Sequence, residues 1–121
     1  MYFMQTRSLL SVFAHPDDES FGVGGTLAYY AAQGHRVALG CATRGDVGEI
    51  ADPALATPQT LGDVRTAELN CAAQVLGVSK IILLGYRDSG MAGTPENQDP
   101  RAFMNAPAEE VVERLVGIIR R

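Results

Sequence analysis

Within five positions, His15-Pro16-Asp17-Asp18-Glu19 gathers one imidazole and three consecutive carboxyl groups. His15 and Asp18 are three residues apart, so a single turn brings both side chains to one point. A neutral imidazole and a carboxylate are suitable donors for zinc or a similar divalent cation. Adjacent carboxylates repel one another in a crevice unless a cation or hydrogen-bond donors offset the charge. Asp17, pointing elsewhere, is then free to take a proton from a water that such a cation has acidified to a pKa of about 7. A plainer alternative stands beside this one, since acids are also favoured at a helix N-terminus by its dipole. Two donors do not complete a site either, because catalytic zinc usually takes three protein ligands. Spacing alone leaves both readings open.

Three strand-then-helix units have to position that loop. Residues 8–14 (SLLSVFA) form a continuous apolar run, the pattern of a strand buried on both faces. Pro16 biases His15 toward extended backbone, which sets the imidazole at the strand's exit. A helix is expected over 25–33, closed by Gly34, then a second strand over 36–43 and a punctuated loop over 44–59. The second helix runs from about Leu61 to Leu76, with Thr60 and Asp63 at capping-box spacing and Gly77 as its stop. Leu61, Val64, Leu69, Ala72, Val75 and Leu76 give it an apolar stripe. A third strand over 80–84 leads into a long loop over 85–106, and a last helix begins near Pro107. Alternation of this kind implies a Rossmann-like α/β fold, a parallel sheet with helices on both faces and its chemistry beyond the strands' C-terminal ends. The loops 15–20, 44–59 and 85–106 all fall there. Val111, Val112, Leu115, Ile118 and Ile119 make the last helix amphipathic, so either it packs back on this small sheet or a further segment or a second copy of the chain covers it.

Composition removes several function classes. A chain of 121 residues suits one domain, and its net charge of −4 lacks the basic footprint of a nucleic-acid binder. No apolar run approaches the roughly 20 residues that cross a bilayer. Met1-Tyr2-Phe3-Met4-Gln5-Thr6-Arg7 lacks the basic start, long apolar stretch and cleavage site of a secretory signal, so the cytoplasm is the expected location. Cys41 and Cys71 read as small buried hydrophobes, neither with surroundings that would activate a thiolate. Gly22-Val23-Gly24-Gly25-Thr26-Leu27 imitates a dinucleotide fingerprint, but Leu27 stands at the third glycine position and the preceding loop is acidic.

The run Ala14-His15-Pro16-Asp17-Asp18-Glu19 resembles the signature of the LmbE-like, or PIG-L, family of zinc-dependent de-N-acetylases. Thr43-Arg44-Gly45-Asp46, Arg65-Thr66-Ala67-Glu68 and the segment from Leu84 to Met91 resemble further family segments in the right order. The resemblance implies a hydrolase that removes an acetyl group from an N-acetylglucosaminyl compound by metal-activated water. It implies His15 and Asp18 as zinc ligands, Asp17 as the general base, and Arg65 and Asp88 as residues of the sugar pocket. Taken by themselves, Arg65 and Glu68 could form an exposed ion pair, and Arg87-Asp88 a simple turn. The family's third metal ligand is a histidine from the second half of its domain. The one other histidine here, His35, is expected on the sheet's opposite edge as a surface residue. The resemblance therefore makes residues 1–121 the N-terminal part of a single deacetylase domain, with an incomplete metal site and poor activity alone. A non-catalytic remnant that binds a sugar or a partner is the alternative. The partner expected is a small N-acetylated sugar conjugate, with no nucleic acid and no membrane span, in a chain able to form a homo-oligomer.

Overall fold

A computed structural model describes residues 5–121; the reading of Met1–Met4 lies outside them. The elements are β1 (Ser8–Phe13), α1 (Asp18–Ala32), β2 (Arg36–Cys41), α2 (Leu61–Leu76), β3 (Lys80–Leu83) and α3 (Ala108–Ile119). Two short 3-10 turns, Pro95–Gln98 and Phe103–Asn105, interrupt the loop before α3. The sheet is parallel throughout, in the order β1-β2-β3, with Ser11 opposite Leu39 and Leu39 opposite Ile81. Parallel neighbours demand a crossover, and α1 and α2 supply both. The α/β reading holds, and each strand ends one or two residues earlier than the apolar pattern suggests.

The core lies on the sheet face that α1 and α2 cover. Leu39, Cys41 and Leu69 are buried together there, with Phe13, Val78 and Ile81 packed against them. The other face is less covered than the apolar run of β1 implied. Val12 is 37% exposed, and α3 has no fully buried residue. So β1 is covered on one face, where its continuous apolar run led to an expectation of burial on two.

Four local expectations are corrected. Helix α1 starts at Asp18, seven residues earlier than expected, and is broken by a non-helical Val23. Its acidic first turn, Asp18 and Glu19, favours an early start through the helix dipole. No capping box forms at α2: Thr60 caps nothing with its side chain, and Asp63 pairs instead with Arg44 at 2.6 Å. Val75 leaves the apolar stripe and is 86% exposed, while Ala73 takes its place in the core at 3%. Cys71 is exposed, and Cys41 alone is the buried thiol.

The glycine-rich stretch that imitated a nucleotide loop lies inside α1 and serves packing. Gly24 is buried where α1 meets α2, and a Cβ there would make ordinary contact with Leu76 at 3.7 Å. Gly77 ends α2 with φ 79°, as expected of a C-terminal cap. Among the described residues, no helix is long and apolar enough to cross a membrane.

Candidate active site

The loops leaving β1, β2 and β3 meet around His15. After β1 the chain turns sharply at Asp17, which has φ 78° and ψ −20°. Asp17 is the one non-glycine residue with positive φ among the described residues. This left-handed conformation costs most side chains energy, and Asp and Asn tolerate it best. The turn sends the neighbouring acids to different partners. Asp18 Oδ2 accepts the backbone N–H of His15 at 3.0 Å and stands 3.6 Å from His15 Nδ1. Asp17 Oδ2 receives Arg65 Nη2 at 3.3 Å and remains largely exposed.

His15 is held from its other side as well. Its Nε2 lies 3.1 Å from Asp88 Oδ1, across 73 positions of sequence. Were Nε2 the donor in this contact, the Nδ1 lone pair would face Asp18. Asp88 is 4% exposed, and two backbone N–H groups donate to its carboxylate. Val47 donates to Oδ2 at 3.3 Å and Gly90 to Oδ1 at 3.3 Å, while the Asp88 N–H itself donates to Asp46 Oδ1 at 3.3 Å.

Arg65 reaches from α2 into the same loop instead of pairing with Glu68. Its Nη2 donates to the Pro16 carbonyl at 2.8 Å and its Nη1 to the Gly45 carbonyl at 3.1 Å. These bonds fasten the β1 loop to the β2 loop. A shallow cavity beside them is lined by Asp17, Glu19, Ser20, Arg65 and Glu68, among others. Arg87 is more than a turn residue: it exchanges backbone hydrogen bonds with Arg101 and Phe103 at 3.0 and 2.9 Å and pairs with Asp99. That small bridge braces the loop next to Asp88.

The donor chemistry of His15 and Asp18 fits a divalent cation. Atoms 3.6 Å apart can both lie about 2 Å from one ion, the usual zinc–nitrogen and zinc–oxygen range. The pair is not a full set. Among the described residues, no group of three or more His, Cys, Asp and Glu is arranged to hold a metal. His35 contributes nothing to it. Its Nδ1 accepts the Arg7 N–H at 3.1 Å at the start of the sheet, away from the loops, although it is half-buried against Tyr30 and no plain surface residue.

The structure brings His15, Asp17, Asp18, Arg65 and Asp88 together, all five residues singled out in sequence. It adds Thr43 and Asp46, which had no role assigned from sequence. Thr43 is 2% exposed, and its hydroxyl donates to the Ala14 carbonyl at 2.9 Å and accepts the Gly45 N–H at 3.1 Å. The signal was the polar Thr43–Asp46 segment at the end of an apolar strand. Cys41 lies beneath the loops, and burial pushes its thiol up to about 11, which suits an inert core residue.

Comparison with known proteins places this geometry. The chain is 50% identical to a 1D-myo-inositol 2-acetamido-2-deoxy-alpha-D-glucopyranoside deacetylase of Acidothermus cellulolyticus, over 94% of this chain and 42% of that protein. It thus spans well under half the length of this relative. Among solved structures, it is similar to the N,N'-diacetylchitobiose deacetylase of Pyrococcus horikoshii, with TM-score 0.62 and 36% identity over 69% of this chain and 30% of that one. It is also similar to the 4-carboxy-2-hydroxymuconate hydratase of Pseudomonas putida, with TM-score 0.68 and 25% identity over 96% and 43% of the two chains. The profile of the PIG-L family, described as GlcNAc-PI de-N-acetylase, matches residues 10–121, and this chain belongs to that family.

Proposed function

We propose that the protein carrying this chain hydrolyses the acetamide of an N-acetylglucosaminyl compound, with zinc as its cation, releasing acetate and a free amine. The observation that carries this reading is the divided loop after β1. His15 Nδ1 and Asp18 Oδ2 face each other at 3.6 Å, while Asp17 turns toward Arg65. When bound, zinc supplies Lewis-acid polarisation of the acyl carbonyl and a lower pKa for the attacking water. Asp17 takes the proton from that water as its oxygen bonds to the acyl carbon. The same proton passes to the nitrogen as the C–N bond breaks, and the Asp17 carboxylate is regenerated. His15 and Asp18 would hold the cation, and a three-ligand site needs one donor more than this pair. Arg65, on the cavity wall, holds the Asp17 turn in place and presents its unspent N–H groups to a sugar hydroxyl.

A second reading, hydration of a carbon–carbon double bond, is favoured by the likeness to the hydratase. It too needs a positioned water and a base. The 50% identity to a deacetylase weighs more heavily, because one fold hosts several chemistries. Acetate release by the intact protein should be measured over a panel of N-acetylglucosaminides, an inositol conjugate included, with an unsaturated hydroxy-acid as comparison. Acetate from at least one glucosaminide is expected; hydration of the acid with no acetate from any would replace this reading.

Gly45 tests the role given to Arg65. Its φ is 62°, and a Cβ there would fall on the Arg65 guanidinium. Gly45→Ala is expected to displace that side chain and lower turnover by about 10- to 100-fold, the scale for a misplaced catalytic group. Zinc content should be unchanged. Unaltered turnover would show that the Arg65 clamp has no part in catalysis.

A further inference from the structure

We propose that Asp88 is a positioning residue for His15: it fixes the imidazole's tautomer and ring plane so that Nδ1 is presented beside Asp18. This rests on the reading of His15 and Asp18 as cation ligands. It departs from the sugar-pocket role that family resemblance implies for Asp88. The Asp88 side chain is 6% exposed, against 41% for His15. Both its oxygens are already engaged, Oδ1 by His15 Nε2 and the Gly90 N–H, and Oδ2 by the Val47 N–H. A carboxylate so enclosed offers little to a sugar hydroxyl, since each new bond displaces an existing one in a place that water hardly reaches. It offers much to an imidazole. A histidine ligand commonly donates its second ring N–H to a carboxylate, which sets the tautomer and raises the basicity of the ligating nitrogen. Asp88 is the carboxylate at that distance from Nε2, and the N–H groups of the β2 and β3 loops hold it in place.

The ring nitrogens of His15 report the tautomer directly. In the 15N-labelled, metal-free intact protein, long-range proton–nitrogen spectra above the imidazole pKa are expected to show a protonated Nε2 and a bare Nδ1. A dominant Nδ1–H tautomer in the unmodified protein would overturn the proposal without need of any variant. Asp88→Ala is expected to weaken zinc binding by about 10- to 100-fold in chelator competition, the range for loss of such a partner. Asp88→Asn, whose amide oxygen still accepts the Nε2 proton, should recover most of that affinity. A sugar-pocket role instead predicts a raised KM with zinc affinity untouched in both variants, and that result rejects the proposal. His15→Ala separates the two layers. If it loses zinc while Asp88→Ala does not, the positioning role fails and the ligand assignment stands. If His15→Ala also keeps zinc, the ligand assignment falls and the proposal with it.

Discussion

Asp17→Asn is expected to lower turnover of the intact protein by about 10² to 10⁴-fold while its zinc stays bound, the usual scale for a positioned acid–base group. The substitution is informative because of the backbone. Asp17 sits at φ 78°, which Asn tolerates and Ala does not, so Asn removes the base without adding strain to the turn. Arg65 Nη2, 3.3 Å from the carboxylate now, can still donate to the amide oxygen. Neither His15 nor Asp18 relies on the Asp17 side chain, since their mutual contact runs through Asp18 Oδ2. Loss of rate at constant zinc therefore isolates proton transfer. Steady-state kinetics with metal analysis on one preparation measures both, and near-normal turnover would remove Asp17 from the mechanism.

His15→Ala and Asp18→Ala should each abolish stoichiometric zinc, and activity with it. The two variants fail for partly different reasons. Removing the His15 ring takes away one donor and leaves the buried Asp88 Oδ1 without its imidazole partner. Removing the Asp18 carboxylate takes away the other donor and the acceptor of the His15 N–H, so the loop itself loosens. Asp18→Asn keeps that acceptor while weakening the ligand, and comparison with Asp18→Ala separates loop order from coordination. Zinc per chain after dialysis is the measurement. Full occupancy in both alanine variants would strike the pair from the metal site.

Much of this was legible before the fold because the chemistry is local. His15, Asp17 and Asp18 lie within four positions, and their spacing alone suggested one side chain turned away from the other two. The order of strands and helices was legible for the same reason, since each is a run of one period with a glycine stop, as at Gly77. What failed were contacts set by tertiary partners. Thr60 and Asp63 had the spacing of a capping box, but Arg44, nineteen residues before Asp63 in the chain, claimed the carboxylate. Arg65 and Glu68 had the spacing of a helix-surface ion pair, but the Pro16 and Gly45 carbonyls offered Arg65 better partners. Asp88 could be singled out only through family resemblance, because nothing near it in sequence reveals a histidine 73 positions earlier.

The link from His15 to Asp88 also ties chemistry to stability. Asp88 follows β3, a strand of four residues that, among the described residues, pairs with β2 alone at the edge of the sheet. Short edge elements open locally more readily than the core, in excursions far smaller than global unfolding. Each such opening would pull the carboxylate from the imidazole and scatter a site whose other members had not moved. The traffic runs both ways. Anything that binds the assembled loops and not the opened form draws β3 back onto the sheet, by an amount that grows with the logarithm of ligand concentration over its dissociation constant. The occupant of this site is in that sense the clasp of its outermost strand.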